Sequence, residues 1–459
     1  MKGSAFPRAL IESLRCPYCD SGLRPVAEVA ACESGIEHGV LRCDCYEYPI
    51  VRGIPVLRRI GPAWSCENQA VDRLRGNDPV GAHEWLLGAG RAPGLPGPTP
   101  RQRTLVRGTA QRWLNRARRM ILAAPDTGER DQDDFRAALV KGRPKPYADY
   151  LYHRFANPSI LAAIPALAIL GDHCRRSGRQ RLLELLCGIG HLSAAADVVC
   201  PSAEIVMTDV DYTNLAIARR FVTPGTVAIC LDAEMPLPFG DDAFDGLYCL
   251  DGLHYVGSKT RLLGEVDRVV TGDGAWVFAH MHNADGTNRA AGIPLSARGY
   301  ASRFAFAEHR LVPERGLLDQ VRRDGFVDLT APPDPAAVKA CNALILFGAR
   351  DGSLWRRHER FDEALARRPD RLWFNPLYVL ERTAGGVVAT ARWPSEELRA
   401  ECTADGPLLP ESIDLSDRLV DEIAAAGRHV SPSDELRELV RSFVLVSLPE
   451  HYPRATLPA

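Results

Sequence analysis

The middle of the chain switches repeatedly between two hydrophobic periods. Short apolar runs at Arg181–Leu186, Glu204–Thr208, Thr226–Cys230, Gly246–Leu250, Ala275–His280 and Ala343–Gly348 predict strands. The segments Ser193–Val199, Tyr212–Phe221, Lys259–Val270 and Glu314–Asp324 between them read as helices. Such alternation predicts an α/β domain whose mostly parallel sheet is covered on both faces. The closing "GFVDLTAPP" and "NALILFGAR" predict an added strand pair at the end of that sheet. A helical lead-in occupies about 146–180, so this domain spans residues 146–350.

The flanks have a different texture. Residues 1–60 form a cysteine-rich unit with short strands, and 61–145 read as a helical linker or cap broken by the Pro/Gly-rich Arg91–Pro100. From 351 to 459, a helix over Ser353–Arg368, a hairpin turning at Gly385-Gly386 and further helices predict an α+β extension.

Composition then narrows the class. With 459 residues, 46% hydrophobic and 25% charged, the chain reads as a globular protein of roughly two to four domains. A net charge of -2 argues neither for nucleic acid nor for acidic lipid, although Arg101–Met120 holds seven arginines and no acid. No apolar leader opens the sequence, and its longest apolar stretch, Ile160–Leu170, is too short to cross a bilayer. A cytoplasmic protein without membrane contact is expected. In a reducing compartment, clustered cysteines point to metal, and Cys16, Cys19, Cys32, Cys43, Cys45 and Cys66 crowd the N-terminus.

The candidate chemistry gathers where the first strand ends, in "LLELLCGIGHLSAAA" (Leu182–Ala196). Gly188 and Gly190 let backbone approach a ligand, or serve packing alone. Ser193 stands where a phosphate cradle would want a third glycine, so the ligand is expected to be nucleotide-like without a phosphate. Ligands of open α/β sheets bind beyond the carboxyl ends of the strands. Three such ends carry acids: Glu184, Asp209 and Asp232. Asp209 suits a ribose diol, Asp232 an exocyclic amine, and Glu184 a cationic amino-acid portion. "GIGHLS" also approximates the dinucleotide fingerprint G-x-G-x-x-G, with Asp209 at the expected separation for NAD. A pyrophosphate would want the missing small residue, and a nicotinamide site does not require "DAEMPLPFGDDAFD".

Together, "LLELLCGIGHLS", "IVMTDVDYTNLAIARR", "LDAEMPLPFGDDAFDGLYCLDGLHYV" and "LLGEVDRVVTGDGAWVFAH" resemble the class I S-adenosylmethionine (SAM)-dependent methyltransferases, over about residues 146–350. The resemblance implies a Rossmann-like seven-stranded sheet and a SAM loop of Glu184, Leu186, Gly188 and Gly190. It also implies that Asp209 and Val210 lie at the ribose and Asp232 and Ala233 at the adenine. Leu186 departs from the family, which has its first glycine there.

Methyl transfer from a sulfonium is an in-line displacement, and a base is needed only where the accepting atom holds its proton. In "LDGLHYV" the sequence offers His254 as a base and Asp251 as a second candidate; His254 could instead cap or pack the following helix. His280 and His282 share a face if their strand continues, and with Asp285 they are a metal set or a polar lining. Tyr152 and Arg154 could meet the SAM carboxylate. Asn283–Val312 lies where this fold commonly inserts a substrate-covering segment.

The N-terminal "LRCPYCDSGL" and "GVLRCDCYEYPIVRGIPVL" resemble the small zinc-ribbon protein that activates tRNA, rRNA and release-factor methyltransferases in trans. That implies a structural zinc on Cys16, Cys19, Cys43 and Cys45. One residue rather than two separates Cys43 from Cys45, so Cys32 or His38 could substitute, or the ribbon could be metal-free and capping in cis.

The function expected is transfer of a methyl group from SAM to a small-molecule acceptor, a specialised metabolite methylated at oxygen, nitrogen or carbon. A tRNA or rRNA methyltransferase is the alternative, suggested by the ribbon and the arginine cluster, though the fourth strand ends in "CLDG" and lacks an "NPPY"-type motif. A non-catalytic SAM-binding or partner-docking protein is the third reading.

Overall fold

The computed structural model describes residues 5–60, 68–89, 132–140, 145–176, 178, 180–287, 291–358, 372–403, 406–407, 409–425, 433–450 and 452. The arginine-rich Arg101–Met120 and the Pro/Gly-rich Arg91–Pro100 lie outside them.

In the N-terminal unit, β1 (Arg24–Ala31), β2 (Gly35–Arg42), β3 (Glu47–Val51) and β4 (Ile54–Pro55) form an antiparallel meander. The central sheet holds seven strands: β5 (Arg181–Leu185), β6 (Glu204–Asp209), β7 (Val227–Cys230), β8 (Phe244–Leu250), β9 (Val270–His282), β10 (Glu308–Pro313) and β11 (Ala343–Ala349). Their order is β10-β11-β9-β8-β5-β6-β7. All neighbours from β7 to β9 run parallel, and β11 lies antiparallel to β9 and β10. The α/β, mostly parallel, seven-stranded expectation holds, with two corrections.

The seventh strand is Glu308–Pro313, not "GFVDL". Only Val312 of that strand is fully buried, so its apolar signal is faint, as an edge strand allows. Val327–Asp328 pairs instead with Arg357–His358, inside the segment read as a helix from Ser353. There Asp351 caps a single 3₁₀ turn, Gly352–Leu354, and the chain then extends.

Order in the sheet reverses between β5 and β8, which leaves a crevice at their carboxyl ends. Helix α1 (Lys145–Tyr152) approaches that crevice and α2 (Pro158–Arg176) packs on one sheet face. The apolar run Ile160–Leu170 is therefore core, with only Ala168 less than fully buried. Helices α3 (His191–Val199) and α4 (Tyr212–Ile217) follow β5 and β6, and α5 (Lys259–Val269) precedes β9. The short α6 (Ala297–Arg303) leads to β10, and α7 (Glu314–Asp324) follows it, ending on Gly325 at φ 69°. Among the described residues no helix is long and apolar enough to cross a membrane.

The N-terminal meander abuts the edge of the central sheet. Leu57 N–H donates to the Cys230 carbonyl at 2.7 Å, and Val56 bridges Cys230 in parallel. Phe6, Leu14, Tyr48 and Leu57 share one apolar core with Leu183, Ile229 and Phe239. The edge at β7, otherwise a row of unpaired backbone groups, is covered. In the C-terminal extension, β12 (Tyr378–Thr383), β13 (Gly386–Ala391) and β14 (Ser412–Ser416) form a small antiparallel sheet, and α8 (Glu396–Cys402) returns beside α1.

Candidate active site

The bend after β5 is built from residues forced into left-handed backbone. Leu186 stands at φ 58°, Gly188 at φ 56° and Gly190 at φ 79°. The two glycines do different jobs. A Cβ on Gly188 would meet nothing, whereas one on Gly190 would lie 3.0 Å from Thr223 Cγ2 and 3.2 Å from Ala218 Cβ. Gly188 thus presents bare backbone to open space, and Gly190 seats the start of α3 against its neighbours. Leu186 packs on Gly252, where an added Cβ would stand 2.6 Å from its own.

Glu184 is fully buried behind the bend and accepts a hydrogen bond from Ser193 Oγ. Burial, against that hydrogen bond, pushes its carboxyl up to about 8. At the end of β6, Asp209 accepts from Gly188 N–H at 2.9 Å and from Asp211 N–H at 2.8 Å. Burial again dominates and raises it to about 7.

A cavity of about 700 Å³ opens over these groups. Glu184, Leu186, Gly188, Asp209 and Val210 line it; Gly190, Asp232 and Ala233 do not. Asp232 accepts from Glu234 N–H at 2.9 Å, and its charge acts on the Tyr18 hydroxyl. After β7 the chain passes the N-terminal unit, whose Leu57 N–H donates to the Cys230 carbonyl.

The opposite wall comes from β8, β9 and α1. Asp251, at φ 55°, receives Tyr150 Oη at 2.5 Å and Arg154 Nη2 at 3.0 Å on Oδ2. His282 Nε2 lies 3.3 Å and His254 Nδ1 3.9 Å from Oδ1. Burial would push the Asp251 carboxyl up, but Arg154 and the surrounding histidines hold it well below the usual carboxylate range. His254 is 1% exposed, and burial pushes it down to about 4. His280, at φ 53° on a bulge of β9, sits behind His282 with Nδ1 2.8 Å from Glu314 Oε2. Burial opposes the charged form there, yet Glu314 and then Asp251 raise it to about 9.

Arg154, read from the sequence as an arginine that could meet a carboxylate, is 4% exposed and paired with Asp251. Tyr152 turns away, its ring 5.8 Å from Phe135. Tyr150 and Glu314 were not anticipated. Tyr147 and Tyr150, three apart on α1, stack at 6.3 Å and both line the cavity, a spacing legible in "YADYLY". Asp285 does not join His280 and His282; Asp251 does. Ala291 and Ala400 complete the rim, so both the expected insertion and the C-terminal extension reach the cavity.

Far from it, Cys16, Cys19, Cys43 and Cys45 bring their sulfurs within 4.8 Å of one another. Cys45 Sγ lies 3.6 Å from Cys16 Sγ and 3.5 Å from Cys43 Sγ, close to the roughly 3.8 Å that four thiolates at Zn–S of about 2.3 Å would span. Cys32 instead bonds Ser34, and His38 faces Arg52 and Glu37.

Residues 183–278 match the family described as methyltransferase domain. The chain is 35% identical to demethylmenaquinone methyltransferase of Thermus thermophilus over 177 residues, 37% of this chain and 76% of that protein. It is 29% identical to the malonyl-[acyl-carrier protein] O-methyltransferase of Legionella pneumophila over 22% of this chain and 35% of the relative. The YcgJ protein of Bacillus subtilis, a solved structure, is similar at 16% identity and TM-score 0.28, covering 40% of this chain and 99% of its own. With four motifs in order on the sheet and a relative matched over most of its length, this chain belongs to the class I SAM-dependent methyltransferases.

Proposed function

We propose that the enzyme methylates a small-molecule acceptor bound between the glycine bend and the Asp251–His254–His282 wall. The observation that carries this reading is one cavity with two chemically distinct sides, acids and open backbone on one and a histidine cluster on the other. SAM supplies a sulfonium-bound methyl group for in-line displacement. Asp209 is suited to accept from the ribose hydroxyls beside Val210, while Gly188 leaves room for close approach. Glu184 faces the amino group, and Arg154 Nη1, buried without a hydrogen-bond partner among the described residues, is free for the carboxylate.

On the acceptor side, His254 stays neutral at physiological pH and takes the acceptor's proton. Asp251, pinned by Tyr150 and Arg154 and held ionised, keeps the histidines oriented and is a poor base. Relatives named for demethylmenaquinone and for malonyl-[acyl-carrier protein] support an acceptor other than RNA. In the same reading, residues 146–350 are the catalytic domain, the 1–60 unit holds zinc on its four cysteines and caps β7, 61–145 are a linker or cap, and the 351–459 extension, through Ala400, shapes the acceptor's access.

Incubation of the full chain with methyl-labelled SAM and either small-molecule extracts or total RNA tests this. Label is expected in the small-molecule fraction; label confined to RNA overturns the proposal.

A further inference from the structure

On the acceptor side, Asp251 and His282 line the cavity and His280 stands behind them. Asp251, His280 and His282 each bring one ligand atom within 4.8 Å of the others. We infer that they bind a divalent transition-metal cation, zinc or iron(II), which holds the acceptor through its oxygen atoms. The inference rests on the reading of this wall as the acceptor side.

Donor chemistry comes first. Two imidazoles and one carboxylate on one face, with the remaining positions open, are a set that zinc and iron(II) take when they must also hold a substrate or water. Ligands about 2.1 Å from a central ion lie roughly 3–3.5 Å apart. His282 Nε2 and Asp251 Oδ1 are already 3.3 Å apart.

The second argument is an orphaned atom. His280 is 9% exposed, and its Nε2 is buried without a hydrogen-bond partner among the described residues. A buried polar atom left alone is costly and calls for an explanation. A cation at the centre of the cluster supplies one.

The third is what stands behind the ligands. His280 Nδ1 is bonded to Glu314 Oε2 at 2.8 Å, the carboxylate–histidine relay that orients a metal-bound imidazole and sharpens its basicity. Tyr150 and Arg154 both occupy Oδ2 of Asp251, which fixes that carboxylate and leaves Oδ1 turned to the histidines. Asp251 and His280 also sit in left-handed backbone at φ 55° and φ 53°, so the chain accepts strain at the carboxyl ends of β8 and β9, where the cluster lies.

The test is zinc binding by the chelator-stripped full chain, titrated calorimetrically with ZnCl2. Variant His282→Ala is compared with wild type, and SAM binding is measured on both. Wild type is expected to bind one equivalent more than His282→Ala, with the four-cysteine site filling in both proteins. Glu314→Gln should bind that equivalent about 10- to 100-fold more weakly. Equal zinc stoichiometry and affinity in wild type and His282→Ala, with SAM binding intact in both, overturns the inference while leaving the methyl-transfer reading standing. Loss of SAM binding in the wild type instead overturns the reading of the cavity itself.

Discussion

At the scale of single residues, environment rather than identity decides what each acid does. Asp251 and Glu184 are both carboxylates in one cavity, yet Arg154 keeps the first ionised while burial without a cation holds the second protonated to about 8. A SAM ammonium group would supply the missing cation. For Glu184 and Asp209 the folded values lie above the ordinary carboxylate range. Their stabilising contribution is therefore whole in acid and is lost as pH rises through about 7 and 8. Between about pH 4, where the unfolded carboxyls ionise, and about pH 8 the melting temperature of the ligand-free protein should fall, and Glu184→Gln should flatten that fall. Saturating SAM should raise the wild-type melting temperature more at the alkaline end; scanning calorimetry in matched buffers reads both. His254 is the opposite case, a base that burial keeps uncharged. Replacing it by alanine should lower kcat by about 10²- to 10⁴-fold in steady-state assays while calorimetric SAM affinity stays unchanged. An unaltered kcat would remove His254 from the mechanism. The sequence places His254, Asp251, Glu184 and Asp209 at or beside strand ends because end-of-strand position follows from the apolar pattern alone, and all four line the cavity. Asp232 stands outside the cavity lining and accepts from Glu234 N–H in its own turn.

At the scale of elements, the strand-to-helix bend separates backbone freedom from space. Gly188→Ala has room but must hold φ 56°, at a cost on the order of 1 kcal/mol. Gly190→Ala meets Thr223 and Ala218 as well and should cost about 1–3 kcal/mol more. The expected pattern is that Gly190→Ala lowers stability in urea denaturation more, whereas Gly188→Ala lowers SAM affinity more for the stability it loses. The reverse ordering would mean that the ligand sits at Gly190. Element positions were legible wherever a strand is buried on both faces. They failed at β10, an edge strand with a half-buried side, and at Ser353–His358, where tertiary pairing with Val327 overrides helical propensity.

At the scale of the molecule, the N-terminal unit and the central sheet share one apolar core and one edge, through Leu57 and Cys230. Metal in the cysteine cluster would then stabilise the whole chain. A chelator should lower the melting temperature of the wild type, and Cys43→Ser should start lower and respond less to the same treatment. An unshifted wild type under chelation would separate the cysteines from stability. The C-terminal extension is tied in as well, since Ala400 reaches the cavity rim from α8.

The sequence by itself determined the alternation of strands and helices, the direction of the sheet and the strand ends at which acids, glycines and histidines stand. Those follow from side-chain periodicity and backbone freedom, which are local properties. Only the tertiary structure decided that Cys43 and Cys45 join Cys16 and Cys19 despite their single-residue spacing, that Arg154 and Tyr150 close on Asp251, and that Glu314 backs His280. Such pairings depend on how elements distant in the chain dock. Docking is set by the summed burial of many side chains and leaves no mark at the residues it brings together.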